Sequence, residues 1–163
     1  VDTQIKLALA LGQQKKVDEA IPQIQEAIAL KPDFAPAHVL LAGALSDQGK
    51  KEEAIASLTK ARDLFKTQGK TDALAETTLN LAVLLGQQQK LDESIAESKE
   101  AIRLKPDSAK AYYVLALALS TQGKKQEAIQ NLTKTQELLK TQGKTEEADK
   151  IAQVIKQLGE QKQ

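Results

Sequence analysis

The sequence predicts an all-α fold built from four consecutive helical hairpins. A polar turn motif begins at residues 14, 48, 88 and 122, so successive copies are 34, 40 and 34 residues apart. Apolar residues recur every three or four positions on both sides of each turn, which is the spacing of one helix face. Residues 1–74 also align with 75–148 without a gap, and about 40 of the 74 pairs are identical. Self-similarity at this period indicates an array of helical hairpins.

The composition limits the classes of function. Apolar residues make up 41% of the chain and charged residues 28%, which is enough to form a core. Aromatic residues are only 2%, so Ala and Leu must carry most of the packing. The net charge of +1 argues against a general nucleic-acid surface. The absence of cysteine removes disulfides, thiolate metal sites and a cysteine nucleophile. No apolar run approaches the roughly 18 residues that span a membrane.

The first hairpin is predicted over residues 1–34. Lys31-Pro32-Asp33 is expected to end its second helix, because Pro cannot continue a helix and Asp can cap the next one. Pro22 falls where this second helix is starting, so we expect it to cost a terminal hydrogen bond rather than to kink the middle. Val1 aligns with Ala75, which lies inside a predicted helix, so the array is expected to continue upstream.

The other hairpins are predicted over residues 35–68, 75–108 and 109–142. The second helix of the 35–68 hairpin is expected to reach about Lys66 and to end at Gly69, with Thr71 as the N-cap of the next helix. Phe65 and Leu74 are expected to pack across this extension. A last helix over 145–160 is expected to cap the array with a polar outer face. The whole chain, 1–163, is thus predicted to be one domain.

The hairpins resemble the tetratricopeptide repeat (TPR), a 34-residue helix–turn–helix motif. The residues that carry this resemblance in the second hairpin are Leu41, Ala42, Leu45, Gly49, Ala54, Leu58 and Ala61. Those in the fourth are Leu115, Ala116, Leu119, Gly123, Ala128 and Leu132, and Pro32 and Pro106 match the closing Pro. The sequence departs from the motif at Gln89 and Lys15, which replace the turn Gly. The resemblance implies an α-solenoid of four TPR repeats plus a capping helix, wound as a right-handed superhelix.

The resemblance also implies that the first helices line a concave groove. Carried over position by position, its floor consists of Ile5, Leu9, Val39, Gly43, Leu79, Val83, Tyr113 and Leu117. Its polar rim includes Asp2, Gln13, Asp47, Glu76, Gln87, Lys110 and Thr121. An apolar floor suits an amphipathic helix or an extended apolar peptide. The open alternative is that these apolar side chains are core, or are covered by another part of the parent chain.

The predicted function is therefore a non-catalytic scaffold that binds a peptide or helix of another protein. The alternative is self-assembly into homo-oligomers through apolar end or groove surfaces. We expect no enzyme activity, cofactor, metal site, nucleic-acid partner or membrane span. His38, the only histidine, is expected to pack in the core. Acid pairs such as Glu52-Glu53 fall in first helical turns, where the helix dipole explains them.

Overall fold

A computed structural model describes residues 2–13 and 16–160, except for the side chains of Asp2 and Gln13. Over these ranges the chain forms helices and no strand, so the predicted all-α fold is confirmed. The helices are α1 (Asp2–Gln13), α2 (Val17–Leu30), α3 (Ala35–Asp47), α4 (Lys51–Thr67), α5 (Thr71–Gln87), α6 (Leu91–Leu104), α7 (Ala109–Thr121), α8 (Lys125–Thr141) and α9 (Thr145–Glu160). None of the helices in the described ranges is long and apolar enough to cross a bilayer.

The chain divides into two compact units, Val1–Leu81 and Ala82–Gln163. In the first unit α1 packs against α2, α2 against α3 and α3 against α4. In the second unit α6 packs against α7, α7 against α8 and α8 against α9. The units correspond closely to the two halves of the sequence alignment. A residue in one unit therefore has an equivalent 74 positions away in the other, which supplies matched comparisons.

Three hairpin turns, those at Gly49, Gln89 and Gly123, share one backbone conformation, which the sequence predicts only where the turn residue is Gly. Gly49 and Gly123 have φ of 77° and 78°. After Gly49, the backbone N–H of Lys50 donates to the carbonyl of Leu45 at 2.9 Å, as in a Schellman motif. Gln89 adopts the same left-handed conformation, with φ of 59°. The N–H of Lys90 likewise donates to the carbonyl of Leu85 at 3.0 Å. The turn therefore forms without Gly, at the expense of strain on Gln89.

Gln89→Gly is expected to stabilise the second unit by about 1 kcal/mol, because Gly occupies the left-handed region without the Cβ clash. The reverse exchange, Gly123→Gln, is the matched control and is expected to destabilise by a similar amount. Urea denaturation followed by circular dichroism measures both. Equal stability of all three proteins would show that this turn carries no strain.

Turn glutamines tie the two hairpins within each unit to one another. In both units, a glutamine side chain donates from its Nε2 atom across the hairpin boundary to an aspartate carboxylate or to an aspartate backbone carbonyl. The carboxylate pairs are Gln48 with Asp18 and Gln122 with Asp92, and the carbonyl pairs are Gln68 with Asp33 and Gln142 with Asp107. Gln48 and Gln122 are the first residues of two of the turn motifs, so these motifs carry a side chain that joins neighbouring hairpins.

Two predicted helix caps are wrong by one residue. The carbonyl of Lys70 accepts the first helical hydrogen bond of α5, from the N–H of Leu74 at 2.8 Å, so Thr71 is the first helical residue. Phe34, not Asp33, is the N-cap of α3, and it makes no side-chain cap bond. At the equivalent position in the second unit, the hydroxyl oxygen of Ser108 accepts from the N–H of Ala111 at 3.3 Å. Residue propensities predicted the correct segments, but the conformation of the turn decides which residue is the N-cap.

Pro22 lies deeper in α2 than predicted. Because α2 begins at Val17, Pro22 is the sixth helical residue. Its missing N–H would have bonded to the carbonyl of Asp18, so Pro22 removes one bond of the regular ladder rather than a terminal one. The equivalent residue in α6 is Ala96, which keeps the N–H.

Alanine-rich contacts form the cores of both units. In the first unit one cluster is built on Ala8, Ala20, Ile24 and Ala37. A second, built on Ala35, Ala61 and Phe65, has Leu74 packed against it, as predicted for the extension. In the second unit the clusters are Ile95, Leu115, Ala118, Leu119 and Ala128, and Ala109, Leu139 and Ala148. His38 is buried, and its Nε2 atom lies 2.9 Å from the carbonyl oxygen of Pro32.

Candidate protein-interaction surface

The predicted groove floor of the first unit divides into exposed and packed residues. Leu9 on α1 is 47% exposed, and Gly43 on α3 is also exposed. Val39 is half-buried beside them. Ile5 is half-buried against the core cluster of Ala8 and its neighbours, and Leu79 is only 7% exposed. Ile5 and Leu79 thus offer little surface to a partner, in line with the packed alternative.

The exposed floor residues of this unit surround one recess of about 390 Å³ between α1, α2 and α3. Leu9, Val39 and Gly43 line it, and Asp47, a predicted rim residue, stands at its border. Its other lining residues are Ala8, Gly12, Val17, Ala20, Ile24, Leu40 and Ala44. We call this the α1–α3 recess. Its lining is apolar apart from the Asp47 carboxylate, as an apolar anchor side chain requires.

In the second unit Leu117, on α7, is the floor residue most open to solvent. It is 47% exposed and lines a smaller recess of about 130 Å³ with Leu132 on α8 and with Val154 and Leu158 on α9. Val83 is half-buried. The hydroxyl of the predicted rim residue Thr121 donates to the carbonyl of Leu117 at 2.9 Å, so it is already satisfied within α7.

A larger cleft of about 800 Å³ lies between the starts of α7 and α9, over the end of α8. We call it the α7–α9 cleft. It contains the predicted floor residue Tyr113 and the predicted rim residue Lys110. Its remaining lining residues are Lys105, Asp107, Ser108, Ala109, Thr135, Leu139, Gln142, Lys144, Glu147, Lys150, Ile151 and Val154.

The predicted groove includes only Tyr113 and Lys110 of the α7–α9 cleft, because no residue of the last helix was predicted to line the groove. A signal was present in the alignment of the two halves. Lys110 and Lys150 stand where the first half has Pro36 and Glu76, so the second half gains positive charge at these two positions. The other predicted rim residues that are described, Glu76 and Gln87 on α5, are exposed. Asp2 and Gln13 carry side chains outside the described part of the structure.

Hydrogen bonds fix the walls of the α7–α9 cleft. The Nε2 atom of Gln142 donates to the carbonyl of Asp107 at 3.0 Å. The hydroxyl of Thr135 donates to the carbonyl of Asn131 at 2.9 Å. Ser108 caps α7 at the mouth of the cleft. Among the described residues, no three His, Cys, Asp or Glu side chains are grouped closely enough to hold a metal ion. The cleft offers a binding surface with apolar walls and a charged rim.

Family models for tetratricopeptide repeats match residues 5–69, 84–123 and 109–138. No curated protein sequence matches the chain. Among solved structures, a crystal structure of MamA protein is 21% identical, with 98% of this chain and 91% of that chain covered and a TM-score of 0.75. A structure of MamA residues 41 to the end from Desulfovibrio magneticus RS-1 is 13% identical, with coverage of 97% and 94% and a TM-score of 0.74. This likeness shows the fold, an α-solenoid.

Proposed function

The chain is a tetratricopeptide repeat protein, and from this premise we propose that it binds a peptide or a helix of a partner protein on the surface formed by its first helices. The family generally serves as a non-catalytic scaffold for protein–protein interaction, and that general role is the class of function the repeats support. The proposal adds the location and the chemistry of binding.

The observation that carries the proposal is the state of Leu9 and Leu117. Each lies on a first helix and is nearly half exposed, although residues beside it in the same helix are buried. Isolated exposed leucines are common on protein surfaces and need no explanation. These two differ because each borders a recess with a mostly apolar lining, one in each unit. The recess at Leu117 also has Ser120 and Gln157 in its lining. A partner side chain placed there would bury apolar surface, which stabilises a complex by about 25 cal/mol for each Å² buried.

The packing around these recesses favours binding without a large ordering cost. The walls are helices joined by short turns with internal hydrogen bonds, and buried alanine clusters lie directly beneath them. A surface that is already ordered loses little conformational entropy when a partner docks. The same rigidity should restrict binding at each recess to segments whose apolar side chain fits that recess.

The test uses peptides selected from a displayed random library against the intact chain. Leu9→Glu and Leu117→Glu are each expected to weaken the selected peptides by about tenfold or more, because a carboxylate replaces an apolar contact and must be desolvated. Binding is measured by fluorescence anisotropy. Leu30→Glu is the matched control, since Leu30 is 60% exposed but lies on α2, a second helix. Unchanged affinity for both groove variants would refute the location.

Self-assembly is a second candidate, supported by a difference between equivalent positions. Leu7 on α1 is 46% exposed, whereas its equivalent Leu81 is 2% exposed. Leu7 therefore presents an apolar side chain where the repeat normally buries one, and a second copy could cover it. If so, the mass measured by light scattering should rise with concentration, and Leu7→Glu should restore the monomer. A mass that does not depend on concentration would exclude this candidate.

A further inference from the structure

The α7–α9 cleft combines an apolar interior with a rim of unpaired positive charge. Tyr113, Leu139, Ile151 and Val154 supply the apolar lining. Four lysines surround them, against two carboxylates, which leaves the rim two charges positive; the lysines are Lys105, Lys110, Lys144 and Lys150, and the acids are Asp107 and Glu147. Within the described residues none of these lysines takes part in an ion pair, although ion pairs form elsewhere on the same surface.

Backbone dipoles add to this positive field. The cleft contains the N-terminal ends of two helices, α7 at Ser108 and Ala109 and α9 at Lys144. The N-terminus of a helix carries a partial positive charge of about half an elementary charge. Glu146 and Glu147, both in the first turn of α9, offset part of that charge locally. The remaining field favours an anionic ligand, and the cleft volume of about 800 Å³ lies within the usual range for ligand sites.

The equivalent place in the first unit shows that this combination is not a general property of the repeat. Phe34 stands where the cleft has Ser108, so an aromatic ring replaces a small polar side chain there. Phe65 and its equivalent Leu139 are both buried in core clusters. Lys31 is the equivalent of Lys105. Its Nζ atom lies 5.6 Å from the ring centroid of Phe34, within the distance of a cation–π interaction.

The charge also differs between the two places. In the first unit Lys31 and Lys70 are balanced by Asp33 and Glu76, and Pro36 replaces the lysine at position 110. The net charge of these equivalent positions is therefore zero. The net positive charge at these positions is therefore particular to the second unit.

We propose that the α7–α9 cleft binds an acidic segment of a partner protein that carries at least one apolar side chain between Asp or Glu residues. This inference rests on the proposed function and specifies its partner. The apolar side chain packs against Tyr113, Ile151 and Val154, which are half-buried, and the flanking carboxylates face the four lysines. The positive charge of the rim favours a partner segment of negative charge. The apolar walls favour such a segment over a polyanion that has no apolar side chains.

The first experiment compares three short synthetic peptides labelled with fluorescein, measured by anisotropy with the intact chain. One alternates Leu and Phe with Glu and Asp, the second replaces every Glu and Asp by Gln and Asn, and the third contains Glu alone. The acidic apolar peptide is expected to bind about tenfold tighter than either of the others, which corresponds to about 1.4 kcal/mol. Its affinity should also fall as salt rises from about 0.1 M to about 1 M, because the Debye length shortens from about 10 Å to about 3 Å.

Variants guided by the first unit locate the site. Lys110→Glu combined with Lys150→Glu is expected to reduce binding of the acidic apolar peptide about tenfold or more. Tyr113→Val, which introduces the residue found at the equivalent Val39, is expected to weaken all apolar peptides several-fold while the fold is kept. The control is Lys99→Glu combined with Lys124→Glu, which makes the same change in net charge at exposed lysines outside the cleft. Thermal melting by circular dichroism confirms that each variant is folded.

The outcomes separate this inference from the proposed function. If selected peptides depend on Leu117 but are not acidic, and the Lys110 and Lys150 variant binds them normally, the inference is wrong and the proposed function stands. Equal binding of the Glu-only peptide, or stronger competition by a single-stranded oligonucleotide of equal charge, would also overturn the inference. If no peptide binds on either surface, both fail.

Discussion

Leu119→Ala is expected to lower the free energy of unfolding by about 2–5 kcal/mol, because it leaves a cavity in the core of the second unit. Leu119 is the largest fully buried side chain among the residues that the structure describes. It belongs to the cluster of Ile95, Leu115 and Ala128, against which Leu158 of α9 also packs. The cluster includes residues of α6, α8 and α9, which pack around α7. Neighbouring residues therefore cannot fill the cavity unless one of these helices moves.

The control for this prediction lies two residues away on the same helix. Leu117→Ala removes an equal number of atoms from a half-exposed site and is expected to change stability by no more than about 0.5 kcal/mol. Repeat arrays need not unfold in one step, so urea titrations should be accompanied by amide hydrogen exchange across α7. A loss below about 1 kcal/mol for Leu119→Ala, or equal losses for both variants, would contradict the assigned core.

Ala96→Pro is expected to destabilise the second unit by about 3 kcal/mol, the usual cost of proline inside a helix. Ala96 is the sixth residue of α6 and is exposed, so the substitution disturbs the backbone without crowding the core. Proline removes the N–H that bonds to the carbonyl of Asp92, and its ring clashes with that carbonyl. Pro22 imposes this penalty on α2 at the equivalent position. Pro22→Ala should therefore stabilise the first unit by up to about 3 kcal/mol.

The two substitutions form a reciprocal pair, and together they test the equivalence of the two units. Thermal melting and urea denaturation give the magnitudes, and hydrogen exchange at the starts of α2 and α6 shows whether each effect is local. If Pro22→Ala stabilises the start of α2 but Ala96→Pro leaves stability unchanged, then α6 accommodates proline at this position and α2 does not. A destabilising Pro22→Ala would show that proline is required where it stands.

Local chemistry allowed much of the fold to be predicted from the sequence. Apolar spacing and the turn motif identified the hairpins, and the extended helix before Gly69 ends at Thr67, close to the expected Lys66. The errors at Thr71, Asp33 and Pro22 concern single residues. They arise because the conformation of the preceding turn sets the first residue of a helix. By propensity alone, several neighbouring residues are equally suited to the N-cap position. Gln89 is the clearest case, since the surrounding helices impose a left-handed conformation that its side chain disfavours.

The sequence by itself determined the repeating helical hairpins, because periodicity and turn chemistry act within a few residues of the chain. Only the tertiary structure decided which apolar residues stay exposed. Leu9 and Leu79 belong to the same predicted floor, yet Leu9 borders an open recess and Leu79 is buried. The tertiary structure also opened the α7–α9 cleft, where lysines distant in sequence share one rim. Helical spacing fixes which residues share a face, whereas exposure depends on the neighbouring helices that cover that face.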